Sequence, residues 1–177
     1  WGLKQASEVG IRIALDVNWR SIFWDPNTSA DMGPSDFAKD AIQPLLEIAS
    51  LLKLSKEEAI WFFDSDNPLE ISRSLANKPD VVVTDGALPV KWLINNCSGT
   101  TKAPSSISII DTTGAGDAFT AGLIFQLLQA RTDENPENII RFAAACGALV
   151  CSGAGAIDPQ PSYEKVKHFL SDSGGKS

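Results

Sequence analysis

The segment DTTGAGD, residues 111–117, places two glycines and an aspartate immediately before a long apolar stretch. Where a loop enters a helix, successive backbone N–H groups point outward at the positive end of the helix dipole. Gly114 and Gly116 would let a phosphate approach this backbone without meeting a Cβ atom, so the segment is predicted to bind an anion. Asp117 can reach a substrate hydroxyl aligned with that phosphate and is a candidate general base for phosphoryl transfer. The alternative is a tight turn with an aspartate near a helix N-terminus.

Two further carboxylates are candidate ligands for the Mg²⁺ that phosphoryl transfer needs. Asp16 and Glu58 each follow an apolar run, and Mg²⁺ is bound by protein carboxylates directly or through its waters. Glu58 also stands three residues after Ser55, a spacing typical of a capping box at a helix start. The sequence therefore leaves both roles of Glu58 open.

The segments around these residues alternate between strand and helix patterns. Such alternation predicts an α/β fold in which helices cover both sides of a parallel sheet and ligands bind at the carboxyl ends of the strands. The first strand, residues 11–17, is apolar and is predicted to be buried on both faces. We predict further strands at residues 49–54, 81–84, 90–95 and 106–111, with 90–95 either an antiparallel neighbour of 81–84 or the next strand. We predict helices over residues 2–10, 69–76, 115–130, 136–151 and 162–170, one that opens at Ser55, and one with the face Phe37, Ala41, Leu45, Ile48 and Ala49.

Four motifs with chemical potential follow predicted strands. Because the carboxyl ends of parallel strands meet at one edge of a sheet, we expect these motifs to form an active site there. They are Asp16 with Asn18 and Arg20, Ser55 with Glu58, Thr84 with Asp85 and Gly86, and residues 111–117.

The composition excludes several classes of function. The 177 residues are typical of one globular domain, and a net charge of −7 argues against a nucleic-acid-binding surface. No apolar stretch reaches the ~20 residues that span a bilayer, so no membrane association is expected. A single histidine gives little support for a zinc cluster or a Ser-His-Asp hydrolase. The cysteines, at positions 97, 146 and 151, are predicted to be reduced, apolar fillers in an intracellular protein.

A longer match surrounds the glycine segment. DTTGAGDAFTAG, residues 111–122, closely resembles the C-terminal signature of the PfkB, or ribokinase-like, family of carbohydrate kinases. Other landmarks of that family occur in the same order. They are DVNWR at 16–20, SKEE at 55–58, VVTDGALP at 82–89 and FAAACGALVCSGAGAIDP at 142–159.

The resemblance implies a three-layer αβα ribokinase-like fold and a role for each matching residue. It implies that Asp117 is the catalytic base, that Gly114, Ala115 and Gly116 form the anion hole, and that Arg20 approaches the phosphates or the substrate. ATP would be the phosphoryl donor, with Glu58 organising Mg²⁺ through water. The implied nucleotide-binding residues are Ser55, Thr84, Asp85, Gly86, Gly116 and Ala144. Those implied to hold a monovalent cation such as K⁺ are Asp111, Thr113, Val150 and Gly155.

The chain also departs from the family pattern. Ser55 replaces the usual Asn, and Pro89 stands where a second glycine is common, so nucleotide affinity or choice is expected to differ. Family members are roughly twice as long, near the ~250 to 300 residues that one α/β domain reaches. The chain begins at Trp1, and we expect residues 1–171 to be the C-terminal nucleotide-binding part and 172–177 a flexible tail. The sugar pocket and lid would lie outside it, and this piece alone is expected to bind nucleotide poorly.

The leading hypothesis is ATP-dependent transfer of a phosphoryl group to a primary hydroxyl of a sugar, with fructose-like substrates favoured by DVNWR and the following Ile22, Phe23 and Trp24. One alternative is a non-catalytic relative that acts as a scaffold or partner subunit. Another is a nucleoside kinase of the same fold. The resemblance also implies a homodimer formed through the lid and a cytoplasmic or plastid-stromal location.

Overall fold

The computed structural model describes residues 2–29, 31–104, 107–130 and 134–173. The chain divides into two compact units. The first comprises Trp1–Asp85 with Lys91–Gly99, and the second comprises Gly86–Val90 with Thr100–Ser177.

The first unit carries most of a five-stranded sheet in the order β1-β2-β3-β4-β5. Strands β1 and β2 both run parallel to their next neighbour, whereas β4 is antiparallel to β3, one of the two arrangements the sequence predicted. Asp16 pairs in register with Lys53, and Ser55 with Thr84. The strands are β1 (Ala14–Asp16), β2 (Leu51–Ser55), β3 (Asp80–Thr84), β4 (Val90–Ile94) and β5 (Cys97–Thr101). The helices are α1 (Gly2–Glu8), α2 (Asp36–Leu46), α3 (Lys56–Phe63) and α4 (Pro68–Ser74), with a 3-10 turn at Ser21–Phe23.

The core of this unit forms where β2 and β3 meet their helices. Leu52, Leu54, Val81 and Val83 alternate along the two strands and pack with Ile71 of α4. All four residues from Leu51 to Leu54 are buried, including Lys53. Burial on both faces is the pattern expected of a central parallel strand.

Two predictions about this core were wrong. The first strand is only three residues long, and Ile11 before it is 59% exposed, because β1 stands at the edge of the sheet that the described strands form. The buried face of α2 is the row of Ala38, Ile42 and Leu46, whereas Phe37 is 76% exposed. Residues spaced by four share one helix face, and the sequence placed that face one residue too early.

The second unit contains three helices, α5 (Ala115–Gln129), α6 (Pro136–Val150) and α7 (Tyr163–Ser173). The first two confirm the sequence prediction within a residue, and α7 continues three residues beyond its predicted end. Helices α5 and α6 approach closely at Gly122, where an added Cβ would lie 2.7 Å from the Sγ atom of Cys146. Small residues at this contact let the two helices share a core.

The strand predicted at residues 106–111 is absent over its described part, residues 107–111. The backbone N–H groups of Ile110 and Asp111 both donate to one acceptor, the carbonyl oxygen of Cys151. Ile109 and Ile110 are 63% and 66% exposed. An apolar, β-branched pattern therefore came from a segment that runs along the C-terminal end of α6 and not from a strand of the sheet.

Two of the three cysteines behave as predicted. Cys146 and Cys151 are buried, and burial raises the pKa of the Cys146 thiol to about 11. Cys97 is exposed, so the prediction of an apolar filler was wrong there. Within the described ranges, no helix combines the length and apolar character that crossing a membrane requires.

Candidate active site

The N-terminus of α5 presents backbone donors to solvent. Gly114 is the N-cap residue with φ of +80°, and the N–H groups of Ala115 and Ala118 donate to Thr112 and Gly114. The N–H groups between them, of Gly116 and Asp117, have no hydrogen-bond acceptor among the described residues. Two such N–H groups at the positive end of a helix dipole are chemically suited to accept an anion.

Gly114 has two independent reasons to be glycine. Its φ of +80° is costly for any residue with a side chain. A Cβ built on it would also lie 2.8 Å from the Cβ atom of Ala156, closer than packed carbon atoms approach. The loop after α6 thus lies directly against the turn that opens α5.

Asp111 joins the same two segments through hydrogen bonds. Its Oδ1 accepts from the backbone N–H of Thr113 at 2.9 Å and from the Thr113 hydroxyl at 2.7 Å. Its Oδ2 accepts from the backbone N–H of Gly155 at 2.8 Å. The Thr113 hydroxyl, followed by the two backbone donors, lowers the pKa of Asp111 to about 2. Asp111 is therefore held as a carboxylate that fastens the loop after α6 to the loop before α5.

The structure links three of the four residues that the resemblance implied for a monovalent cation. Asp111, Thr113 and Gly155 are linked directly by the hydrogen bonds above. The carbonyl oxygen of Val150 accepts from the N–H of Gly153 in the same loop, at 3.2 Å. Carboxylate, hydroxyl and carbonyl oxygens suit a hard cation. Ala144 lies in α6 in the same unit and is 6% exposed.

In the first unit, three of the predicted motifs do share one edge of the sheet. Asp16, Ser55 and Thr84 are the last residues of the neighbouring parallel strands β1, β2 and β3. The fourth motif, residues 111–117, belongs to the second unit, and the described residues just before it, 107–110, form no strand. The expectation that strand ends collect these residues is confirmed for the first three.

Glu58 occupies a buried position beside that edge. It is 5% exposed, and its Oε2 accepts from the N–H of Ser55 at 2.7 Å while the Ser55 hydroxyl accepts from the N–H of Glu58. This reciprocal pair confirms the capping box at the start of α3. Its Oε1 accepts from the N–H of Trp19 at 2.6 Å. Sequence reasoning missed the Trp19 contact, because no local pattern reports a partner 39 residues away.

Lysines engage two of the predicted acidic residues. The Nζ atom of Lys53 lies 3.2 Å from the Asp16 carboxylate, and the Lys53 side chain is only 9% exposed. The Nζ atom of Lys56 lies 2.9 Å from Asp85, which raises the pKa of Lys56. Lys53 was also missed, although a lysine inside the apolar run LLKL is a signal for a buried ion pair, since a buried charge needs a partner.

The remaining predicted residues of this edge make local contacts. The Thr84 hydroxyl donates to the carbonyl oxygen of Leu54 at 3.3 Å, and Gly86 adopts a φ of +53°. Arg20 is exposed, and its Nη1 donates to the carbonyl oxygen of Trp19 at 2.7 Å. Among the described residues no three acidic, cysteine or histidine side chains converge as a metal cluster. Asp16 and Glu58 are the carboxylates of this edge that the sequence predicted for Mg²⁺, an ion that proteins often bind through one or two carboxylates with phosphates and water.

Comparison with known proteins gives the class of the molecule. Residues 15–163 match the pfkB family of carbohydrate kinases. The chain belongs to that family. The match covers most of the chain, and the ribokinase-like α/β fold class predicted from the sequence is confirmed.

Three relatives illustrate the similarity. The chain is 30% identical to a probable chloroplastic fructokinase-6 of Arabidopsis thaliana over 94% of its own length and 43% of the relative's. It superposes with a TM-score of 0.76 on aminoimidazole riboside kinase from Salmonella enterica in complex with aminoimidazole riboside and an ATP analogue, at 28% identity and covering 96% and 56% of the two chains. A fructokinase from Vibrio cholerae with bound fructose, ADP and calcium gives a TM-score of 0.77, at 28% identity, covering 95% and 53%. The chain thus spans about half the length of the relatives it matches.

Proposed function

We propose that the complete protein transfers the γ-phosphoryl group of ATP to a hydroxyl of a sugar, and that the N-terminus of α5 holds that group during transfer. The observation that supports this proposal is that the N–H groups of Gly116 and Asp117, which follow the left-handed Gly114, have no acceptor among the described residues. Membership of a carbohydrate kinase family supports the same reaction.

Asp117 is suited to the role of general base. It is exposed in the first turn of α5, one residue after the glycine that borders the anion site. As the sugar oxygen attacks the γ-phosphorus, the bond to the β,γ-bridging oxygen breaks and ADP leaves with that electron pair. The hydroxyl proton passes to the Asp117 carboxylate. Gly114, Ala115 and Gly116 supply the turn whose backbone faces the transferred group.

The residues proposed to hold ATP and its ions are those that the family resemblance implies. In the proposal Ser55, Thr84, Asp85 and Gly86 meet the nucleotide, Ala144 borders its adenine, and Arg20 approaches the phosphates. Bound Mg²⁺ would neutralise charge on the phosphate oxygens. Glu58 fits a role through water, because both of its oxygens already accept backbone N–H groups. The Asp16 carboxylate is already paired with Lys53, so direct binding of Mg²⁺ by Asp16 has less support than the water-mediated role of Glu58.

Two substrate classes have specific support. Similarity to a probable fructokinase supports a fructose-like sugar as the substrate, and similarity to aminoimidazole riboside kinase supports a riboside. A homodimer and a cytoplasmic or plastid-stromal location remain part of the proposal, the latter supported by the chloroplastic relative.

The complete protein should be assayed for ADP release with fructose, ribose, other hexoses, adenosine and aminoimidazole riboside. We expect turnover with one class, and a loss of about 100-fold or more in kcat for Asp117→Asn. Asp36→Asn is the matched control, because Asp36 also lies in the first turn of a helix, α2. Full activity of the Asp117→Asn variant would refute the proposed base. ADP binding without turnover on any acceptor would favour a non-catalytic partner subunit.

A further inference from the structure

One carboxylate, that of Glu58, connects the entrance of α3 to the loop that follows β1. We propose that Glu58 is a positioning residue that sets the place of Arg20 at the carboxyl edge of the sheet, a role separate from any contact with metal. The part of this proposal that concerns catalysis rests on the proposed function, whereas the part that concerns the loop does not.

The connection runs through the main chain of a single residue. The N–H of Trp19 donates to Oε1 of Glu58 at 2.6 Å, and the carbonyl oxygen of Trp19 accepts from Nη1 of Arg20 at 2.7 Å. Glu58 therefore binds the backbone N–H of Trp19, and Arg20 binds its carbonyl oxygen. A shift of Trp19 moves both the backbone from which the arginine side chain starts and the carbonyl that its guanidinium binds.

The side chain of Trp19 is fixed as well. Its Nε1 donates to the carbonyl oxygen of Met32 at 2.8 Å, and the residue is 7% exposed. Its ring stacks on Trp24 at a centroid distance of 5.6 Å and meets the edge of Phe62, a residue of α3, at 6.5 Å. These contacts hold the ring of Trp19 in place. The hydrogen bond to Glu58 holds the backbone N–H of the same residue.

The backbone just before Trp19 leaves the sheet, and Glu58 accepts the N–H that follows. Up to Val17 the backbone is still held to β2, since the N–H of Val17 donates to the carbonyl oxygen of Lys53. Asn18 then turns the chain with a φ of +45°, a left-handed conformation that asparagine tolerates better than most residues. The next N–H is the one that Glu58 accepts. The hydrogen bond thus stands directly after the point where the strand releases the chain.

A carboxylate is the group that this geometry needs. Each of its two oxygens accepts one backbone N–H, from Trp19 and from Ser55. A glutamine has the same shape but only one acceptor oxygen, and its NH₂ would face an N–H donor. Glu58→Gln must therefore give up one of the two contacts.

The first experiment measures backbone hydrogen exchange in the complete protein. In Glu58→Gln we expect the Trp19 or the Ser55 amide to exchange at least about tenfold faster relative to the wild type, the factor set by loss of one hydrogen bond to a charged acceptor. Glu57→Gln removes the same charge from the neighbouring, exposed position and should leave both amides unchanged. Unchanged exchange at both amides in Glu58→Gln would overturn the proposal. Should that variant fail to fold, Glu58→Asp keeps the charge but is one methylene shorter, and the same acceleration at Trp19 is expected.

The second experiment separates positioning from a metal role in the complete protein. Arg20→Met, Glu58→Gln and the double variant are compared by their KM for ATP across a Mg²⁺ series. If Glu58 acts through Arg20, the KM for ATP of the double variant should exceed that of Arg20→Met by no more than about twofold, since the two residues then act as one unit. Full additivity, or rescue of Glu58→Gln by high Mg²⁺, would contradict that action. If the wild type transfers no phosphoryl group, the proposed function fails while the exchange experiment still decides the role of Glu58 in the loop.

Discussion

Glu58 in the first unit and Asp111 in the second perform the same structural task in different surroundings. Each carboxylate accepts a backbone N–H close by in its own helix entrance, from Ser55 or Thr113, and another from a distant loop. The distant partners are 39 and 44 residues away along the chain. Both therefore fasten a loop of the candidate site to the start of a helix.

The two carboxylates differ in their access to water. Glu58 is 5% exposed, and its contact with the N–H of Trp19 is buried, so that N–H has no ready substitute acceptor. Asp111 is only partly shielded, and its low pKa comes from hydrogen bonds with little opposition from burial. Loss of a buried acceptor leaves its donors unsatisfied, whereas water can replace an accessible one. We infer that the Glu58 contacts mainly provide rigidity, and that the Asp111 contacts can exchange with solvent or a cation.

The largest expected effect is on the buried member of the pair. Glu58→Ala should lower the free energy of unfolding by about 4 kcal/mol, because a buried N–H group (Trp19) and a partly buried one (Ser55) lose their acceptor at ~1–3 kcal/mol each. Urea denaturation provides the measurement, and Glu57→Ala, on the exposed neighbour, should change stability by no more than ~0.5 kcal/mol. Equal effects at positions 57 and 58 would remove the distinction drawn between buried and accessible carboxylates.

A second prediction concerns the loops that Asp111 fastens. Gly114→Ala should lower the free energy of unfolding by about 3 kcal/mol, the sum of left-handed backbone strain and the 2.8 Å approach of the added Cβ to Ala156. Gly155→Ala is the matched control, because its φ of +78° is almost the same but nothing lies within 4 Å of the added Cβ. It should cost only about 1 kcal/mol. If the two variants were equally stable in denaturant, the close packing of Gly114 on Ala156 would have no energetic weight.

The pH dependence of stability tests the Asp111 contacts. The folded-state pKa of Asp111, about 2, lies below the ordinary 3.8. Its contribution to folding stability is therefore present above pH ~4 and is lost as the pH falls toward 2. Melting temperatures from pH 5 to pH 2 should therefore fall less steeply in Asp111→Asn than in the wild type. Asp158→Asn, an exposed site in the same loop, should retain the wild-type slope. Identical slopes in all three proteins would show that these hydrogen bonds are not maintained in solution.

The smallest effect is expected at a third bridging carboxylate, Asp80, where burial dominates. Asp80 accepts from the N–H of Asn95 at 2.9 Å and lies 3.4 Å from Arg12, yet burial raises its pKa above 3.8. Its contribution is present below pH ~4 and is lost as the pH rises through the raised pKa, the reverse of Asp111. Asp80→Asn should consequently raise the melting temperature near neutral pH, by less than the ~4 °C that corresponds to 1 kcal/mol. A lower melting temperature of Asp80→Asn at pH 7, together with a shallower decline at acid pH than in the wild type, would contradict the assignment.

The sequence by itself determined the local features of this protein. Helix α5 and its glycine entrance, the capping box of Ser55 and Glu58, and the ends of β2 and β3 all follow from residue types within a few positions of one another. Their causes are local, namely left-handed glycine, side-chain capping and apolar periodicity. Family membership could likewise be predicted, because the motif at residues 111–122 is long and continuous.

Only the tertiary structure decided what lies between distant segments. The apolar run at residues 107–110 has the composition of a strand, but its neighbour is the end of α6, so no ladder forms. The edge position of β1 explains why a pattern typical of burial left Ile11 exposed. The Trp19 partner of Glu58 and the Gly155 partner of Asp111 depend on chain paths that bring residues about 40 positions apart within hydrogen-bonding distance. Such contacts are set by packing of whole elements, which no short window of residues records.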